Sequence, residues 1–284
     1  MNMHFVRSLR ASMSLGLLAV VVIGARVKAQ DRDNRDRDRD RGRVDFRWDK
    51  ALPNGSSVSV HDVNGDISIA PSTTGRVEIV GYKRGSGRYA DDLKAQVVET
   101  RDGIVVCVVW VDADNECDED GYHSHSRGDR GDDWGRASIN LELRVPPDVR
   151  VSANSVSGDI DIAGARGEVR ASSVSGDLRL DHLRATSVSA HSVSGDVEVH
   201  VEQLSGRGDL SFKTVSGDVT VELPRGLDAD VSLTTVSGTL DSDFQMTLNG
   251  RVSRRRIEAK VGQGGRQLDV STVSGDVRLK MSRS

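Results

Sequence analysis

The sequence predicts an all-β protein whose core is a parallel β-solenoid of about 18–22 residues per coil, joined to a less regular N-terminal β-region. Three observations predict it. A seven-residue phrase, Val-Ser/Asn-Gly-Asp/Thr followed by an aliphatic residue, any residue and usually a second aliphatic, recurs seven times, with its glycines at Gly65, Gly158, Gly176, Gly195, Gly217, Gly238 and Gly275. From Gly158 to Gly238 these phrases lie 18, 19, 22 and 21 residues apart, the period of a solenoid whose coils cannot bury an apolar face singly. Helical periodicity is nearly absent, while Val, Ile, Thr and Ser alternate with charged residues through most of the chain.

Residues 1–29 read as a secretory signal peptide: Arg7 and Arg10 precede the apolar run Leu15 to Ala25, and Val27-Lys28-Ala29 closes it with a cleavage-site pattern. The mature chain is expected to begin at Gln30. No cysteine follows the run to take a lipid anchor, and no second apolar stretch is long enough to span a bilayer. The expected location is therefore outside the cytoplasm: periplasmic, cell-surface or extracellular. Residues 30–43 alternate acid and base with almost nothing apolar and are read as a disordered charged linker. The whole chain carries a net charge of −4; the signal segment holds four bases and no acid, so the mature chain stands at −8. Most of that charge sits in the loop 112–133, at net −7, which leaves a nearly neutral body and argues against a nucleic-acid partner.

In the N-terminal β-region, 44–147, Leu93 to Val111 reads as a hairpin turning at Asp102-Gly103. Its second strand, from Ile104, is apolar on both faces apart from Cys107 and is expected to be buried on both sides. Cys107 and Cys117, the two cysteines of the chain, are expected to pair in an oxidising compartment. The acidic loop offers Asp114, Glu116, Asp118 and Asp120 as oxygen ligands for calcium, with His123 and His125 beside them for a transition metal. It breaks the EF-hand pattern, because Cys117 falls where a glycine is needed, and a solvated acidic loop is the simpler reading.

The repeats of 148–284 alternate in facing, but Val149, Val151 and Ala153 share one parity and Val156, Gly158, Ile160 and Ile162 the other. This change of facing predicts two strand segments per coil joined at a bend, with the motif valine and glycine turned inward. Stacked coils then place Asp159, Asp177, Asp196, Asp218 and Asp276 in an outward ladder, interrupted by Thr239. Such carboxylates repel unless hydroxyls and turn amides, or cations, satisfy them, and local turn bonding is the expected solution. Between Gly238 and Gly275 the interval grows to 37, room for a divergent coil or an excursion. The last strand, Val273 to Met281, is expected to form an uncapped edge guarded by Arg278, Lys280 and Arg283, so that the protein is a monomer or weak dimer; the segment from Asp241 to Gly265 is the alternative cover.

The phrases Ser-Val-Ser-Gly-Asp and Thr-Val-Ser-Gly-Asp, preceded by Val145-Pro146-Pro147-Asp148 and closed by Gly262-Gln263-Gly264-Gly265 before Leu268 to Asp276, resemble the exported bacterial β-strand-repeat family that carries the name "putative adhesin". The resemblance covers about residues 44–284. It implies a β-solenoid carrying a domain of unknown function, similar to the head domains of some autotransporter-like adhesins, with no established reaction, catalytic residue or cofactor. Some relatives sit near envelope-stress systems.

The expected function is a non-enzymatic envelope scaffold or binding module for a protein or glycan ligand. The alternatives are a carbohydrate-active enzyme on a parallel β-helix and an envelope-stress sensor that binds a membrane protein. No catalytic triad can be picked from so many Ser and Asp. His182, His191 and His200 recur every nine residues and are read as scattered surface histidines. Gly262-Gln263-Gly264-Gly265 is read as a turn, since no helix follows to hold a phosphate.

Overall fold

A computed structural model describes residues 43–85, 88–111, 115–124, 137–248 and 253–282. The expected signal peptide and linker residues 30–42 lie outside them.

The period-two alternation places one apolar row of each strand into a shared interior between a ten-stranded and an eleven-stranded sheet. Seven layers, each one strand from either sheet, stack in parallel with a repeat glycine between the two strands. In order along the stack they are Ser57–Asn64 with Ile67–Pro71, Arg150–Ser157 with Ile160–Ala163, and Glu168–Ser175 with Leu178–Ala185. Ser187–Ser194 with Val197–Leu204 and Leu210–Lys213 with Val219–Leu223 follow, then Gln267–Ser274 with Val277–Met281 and finally Ala229–Ser237 with Leu240–Ser242. In-register pairing turns like residues into columns: Val58, Val151, Val169 and Val188 face one another in one sheet, and Ile67, Ile160, Leu178 and Val197 in the other. All eight are essentially fully buried, and each such side chain contributes about 1.5–3 kcal/mol of transfer free energy.

The Gly65 layer thus continues the repeat stack directly, although 93 residues separate Gly65 from Gly158. Below it, Gly103–Trp110 and Ser138–Val145 add one more parallel strand to each sheet. That end closes with antiparallel strands: Leu93–Glu99 in one sheet, Val77–Arg84 and Arg43–Lys50 in the other. At the far end Arg256–Val261 and Thr247–Leu248 pair antiparallel beyond Ala229–Ser237. The sheets are therefore mixed: the regular parallel solenoid expected over 148–284 takes in the Gly65 layer as well and gives way to antiparallel strands at both ends. Gly103 opens the second strand of the predicted hairpin rather than sitting in its turn.

The order of layers corrects the expectation of a C-terminal edge. Val277–Met281 lies inside its sheet, with Val277 opposite both Val219 and Leu240, and its N–H donates to Thr239 O. The segment between Asp241 and Gly265 instead carries the antiparallel cover. The glycine-rich turn steers the chain back into the stack: Gly262, Gly264 and Gly265 adopt positive φ, and the N–H groups of Gln263 and Gly265 donate to Asp228 and Asp230 at 2.7 and 2.8 Å. Arg266 then donates to the carbonyls of Thr186, Ser205, Gly206 and Gly208, which fastens the entering strand to the preceding layers.

The bend between strands also differs from the alternation. The inward residue before it is Ser155, Ser173, Ser192, Thr214, Thr235 or Thr272, all buried, and the change of facing comes after that residue rather than before it. Val156, Val174, Val193, Val215, Val236 and Val273 consequently stand 45–52% exposed instead of turning inward. The glycine is required by the neighbouring layer: a Cβ on Gly176 would overlap the carbonyl oxygen of Gly158, and the same collision recurs from Gly158 through Gly195, Gly217, Gly275 and Gly238. Gly176→Ala is expected to lower stability by about 2–4 kcal/mol through overpacking against that carbonyl. Gly226→Ala, where nothing lies within 4 Å of the new Cβ, serves as the control. Urea unfolding of both variants is the check, and equal midpoints would refute the close-approach account.

Candidate functional site

The bend repeats a small polar machine. The inward hydroxyl of one layer donates to the glycine carbonyl of the layer before: Ser173 to Gly158 at 3.3 Å, Ser192 to Gly176 at 3.1 Å, Thr214 to Gly195 at 2.9 Å, Thr272 to Gly217 at 2.9 Å and Thr235 to Gly275 at 3.0 Å. Outside, each aspartate accepts the backbone N–H of the next layer's corresponding residue. Asp177 N–H reaches Asp159 at 2.9 Å, Asp196 N–H reaches Asp177, Asp218 N–H reaches Asp196 and Asp276 N–H reaches Asp218, each at 2.8 Å. Thr239 N–H ends the series on Asp276 at 2.9 Å. Thr239 belongs to the last layer, so no following amide requires a carboxylate there; it terminates the ladder and does not interrupt it.

At Asp218 and Asp276 these amides make the ionised form the favoured one. The Asp276 amide, then the Arg278 guanidinium at 2.8 Å, holds the Asp218 carboxyl below its ordinary pKa, and the Thr239 amide does the same for Asp276. Beside the ladder Asp159, Asp161, Asp177, Asp196 and Glu198 line a shallow hollow of about 390 Å³ with Leu178 and Arg179. Burial pushes the Asp161 carboxyl up there.

Among the described residues of the acidic loop no three metal-ligand atoms converge. Asp114 and His125 lie outside the described residues. Glu116, Asp118 and Asp120 sit on a tight hairpin, Asn115–Asp118 with Gly121–Ser124, where Asp118 Oδ1 accepts the N–H groups of Asp120 and Gly121 at 2.8 and 3.1 Å and lies 3.0 Å from His123 Nε2. The Asp120 amide is the main cause that holds the Asp118 carboxyl low. A disulfide joins Cys107 and Cys117, with Cα atoms 5.9 Å apart. It ties this hairpin over Gly103–Trp110, whose outer face packs Val105, Cys107 and Val109 against Val98 and Tyr122.

The three histidines do not all scatter. His191 lies beside Ser189 and Ser211 in the eleven-stranded sheet, but His182 and His200 meet on the other, their rings 5.4 Å apart. A bulge causes this: Leu180 faces Val199 and Leu183 faces Val201, so Asp181 and His182 together occupy the space opposite His200. His182 takes φ +53° to do so. The spacing Leu178, Leu180, Leu183, Ala185 carried the signal, an extra residue in a period-two pattern. Among the described residues, Asp181, His182 and His200 are the group whose potential metal-ligand atoms converge, all within 4.8 Å of one another.

A profile of the family described as Toastrack DUF4097 matches residues 51–280. This chain belongs to that family. Among solved structures it is similar to a "putative cell adhesion protein" from Clostridium sporogenes, at 9% identity and TM-score 0.43, over 84% of this chain and 99% of that one. A "putative adhesin" from Bacteroides fragilis is similar at 13% identity and TM-score 0.39, over 84% and 96% of the two chains. A third, from Parabacteroides merdae, is similar at 9% identity and TM-score 0.28, over 85% and 97%. No curated protein matches the chain. Among the described residues of this Toastrack chain no helix is long and apolar enough to cross a membrane.

One Toastrack corner departs from the rest. In the Gly65 layer the inward position is Asp62, which pairs across strands with Ser155. Asp62 is 4% exposed, and its Oδ2 and Ser155 Oγ have no hydrogen-bond partner among the described residues. Burial pushes the Asp62 pKa up to about 7, against the pull of the Asn64 amide. Its folded pKa exceeds its unfolded value of 3.8, so stability is full below about pH 4 and falls as pH rises towards 7. Urea unfolding at pH 5.5 and 8.5 is expected to show a loss of about 2 kcal/mol, and Asp62→Thr, which restores the hydroxyl, is expected to remove it. A wild-type stability unchanged over that interval would show that Asp62 is ionised throughout.

Proposed function

We propose that this Toastrack chain is an exported, non-enzymatic scaffold and binding module of the adhesin type, and that the row of exposed valines is the face that binds a protein. The valine row carries the reading. Six half-exposed valines recur at one position of successive layers, next to a row of carboxylates fixed by backbone amides. A continuous apolar stripe on a rigid lattice fits a partner surface with an aliphatic row flanked by Lys or Arg.

The glycan alternative has less support. Among the described residues the exposed large apolar side chains are aliphatic, whereas sugar-binding grooves use aromatic platforms. The carboxylates of the hollow favour a hydrolase only in number, since Asp159, Asp177 and Asp196 each commit an oxygen to a neighbouring amide. The Cys107–Cys117 disulfide and the signal pattern support a periplasmic, cell-surface or extracellular location. Interior placement of Val277–Met281 removes the edge through which self-association was expected, in keeping with a monomer.

The test is crosslinked capture from native envelope material, comparing the protein with a Val174→Ser, Val193→Ser, Val215→Ser variant. Exposed substitutions of this kind change stability by only about 0.5 kcal/mol each, so fold is retained. The expected result is a protein partner captured by the parent and lost by the variant. Equal capture by both would place binding on another face. A membrane protein as that partner would favour the envelope-stress sensor, and turnover of an envelope polysaccharide would favour the enzyme.

A further inference from the structure

On the ten-stranded sheet, away from the valine row, the bulge of Leu178–Ala185 gathers an unusual set of side chains. Asp181 lies between two imidazoles: its Oδ1 is 2.9 Å from His200 Nδ1 and its Oδ2 is 3.6 Å from His182 Nε2. The far nitrogen of each ring faces a second carboxylate. His182 Nδ1 lies 2.7 Å from Glu202 Oε1, and His200 Nε2 lies 3.9 Å from Glu222 Oε1. Arg184 Nε in turn donates to Glu202 Oε2 at 3.1 Å.

We infer that Asp181, His182 and His200 form a binding site for a late divalent transition metal of the zinc class, with Glu202 and Glu222 as the outer carboxylates that orient the two rings. Two imidazole nitrogens and one carboxylate oxygen are the ligand types such ions select, and three protein ligands suffice when water or a partner group fills the fourth position. A carboxylate behind each ligating histidine fixes the tautomer and raises the basicity of the nitrogen that faces the metal. The ligands come from adjacent strands, Leu178–Ala185 and Val197–Leu204, so the ion would clasp one layer to the next at the place where the bulge breaks their pairing. His182 is 61% exposed on its side chain, which leaves a coordination position open to solvent. Nitrogen donors disfavour calcium, a hard cation that takes oxygen ligands.

The experiment is isothermal titration of the untagged protein with ZnCl2, with CaCl2 as the comparison. One equivalent of Zn2+ is expected to bind, with His182→Ala and His200→Ala abolishing it and Glu202→Gln weakening it about 10- to 100-fold. A Glu116→Gln, Asp118→Asn variant of the acidic hairpin is expected to bind as the parent does. If the histidine variants fail to fold, NMR of the parent decides: of seven histidines, the C2–H signals of His182 and His200 are expected to shift on Zn2+ addition. Absence of Zn2+ binding, binding that survives loss of both histidines, or shifts confined to other histidines would each overturn the assignment.

Discussion

Everything in the repeat stack depends on how closely two layers approach at the bend. The glycine carbonyl of one layer sits where the next glycine's Cβ would be, and it accepts a hydroxyl from the inward Ser or Thr of that next layer. This contact buries a polar group at no net loss of hydrogen bonding, which is the condition for a polar residue inside an otherwise aliphatic core. It also holds the layers in register. With the bends aligned, valines meet valines, isoleucines meet leucines, and the outer aspartates fall beneath the amides they accept.

The same alignment explains why a row of like charges is tolerated. Each ladder carboxylate is bonded to a backbone N–H from the adjoining layer, a charge-assisted hydrogen bond that offsets its repulsion from its neighbours. No cation has to be invoked for Asp159 through Asp276. The histidine bulge is a different case, because ligand atoms of Asp181, His182 and His200 converge there within 4.8 Å of one another.

The fold class and the glycines that set the stack were legible in the sequence, because a period of 18–22 residues and an alternation of two leave little else possible. The facing of the motif valine was not. Ser173 and its counterparts are polar by composition, and only the neighbouring carbonyl makes an inward hydroxyl favourable. The pairing of Asp181 and His182 against His200 was readable in principle from the uneven leucine spacing, but which strand would lie beside it was a matter of stacking. The chemistry of Asp62 was hidden for the same reason, since the sequence shows an acid near a repeat and the structure shows it buried at a position where other layers keep a hydroxyl.

The order of layers has a bearing on how the chain is made. Gln267–Ser274 and Val277–Met281 occupy a slot between layers that precede them in the chain. As the polypeptide grows from its N-terminus, Leu210–Lys213 and Val219–Leu223 present open edges, and Ala229–Ser237 has no parallel neighbour to rest on until residues beyond 266 have emerged. Assembly of these layers therefore waits for the strands beyond residue 266, which form a keystone in the interior of the stack.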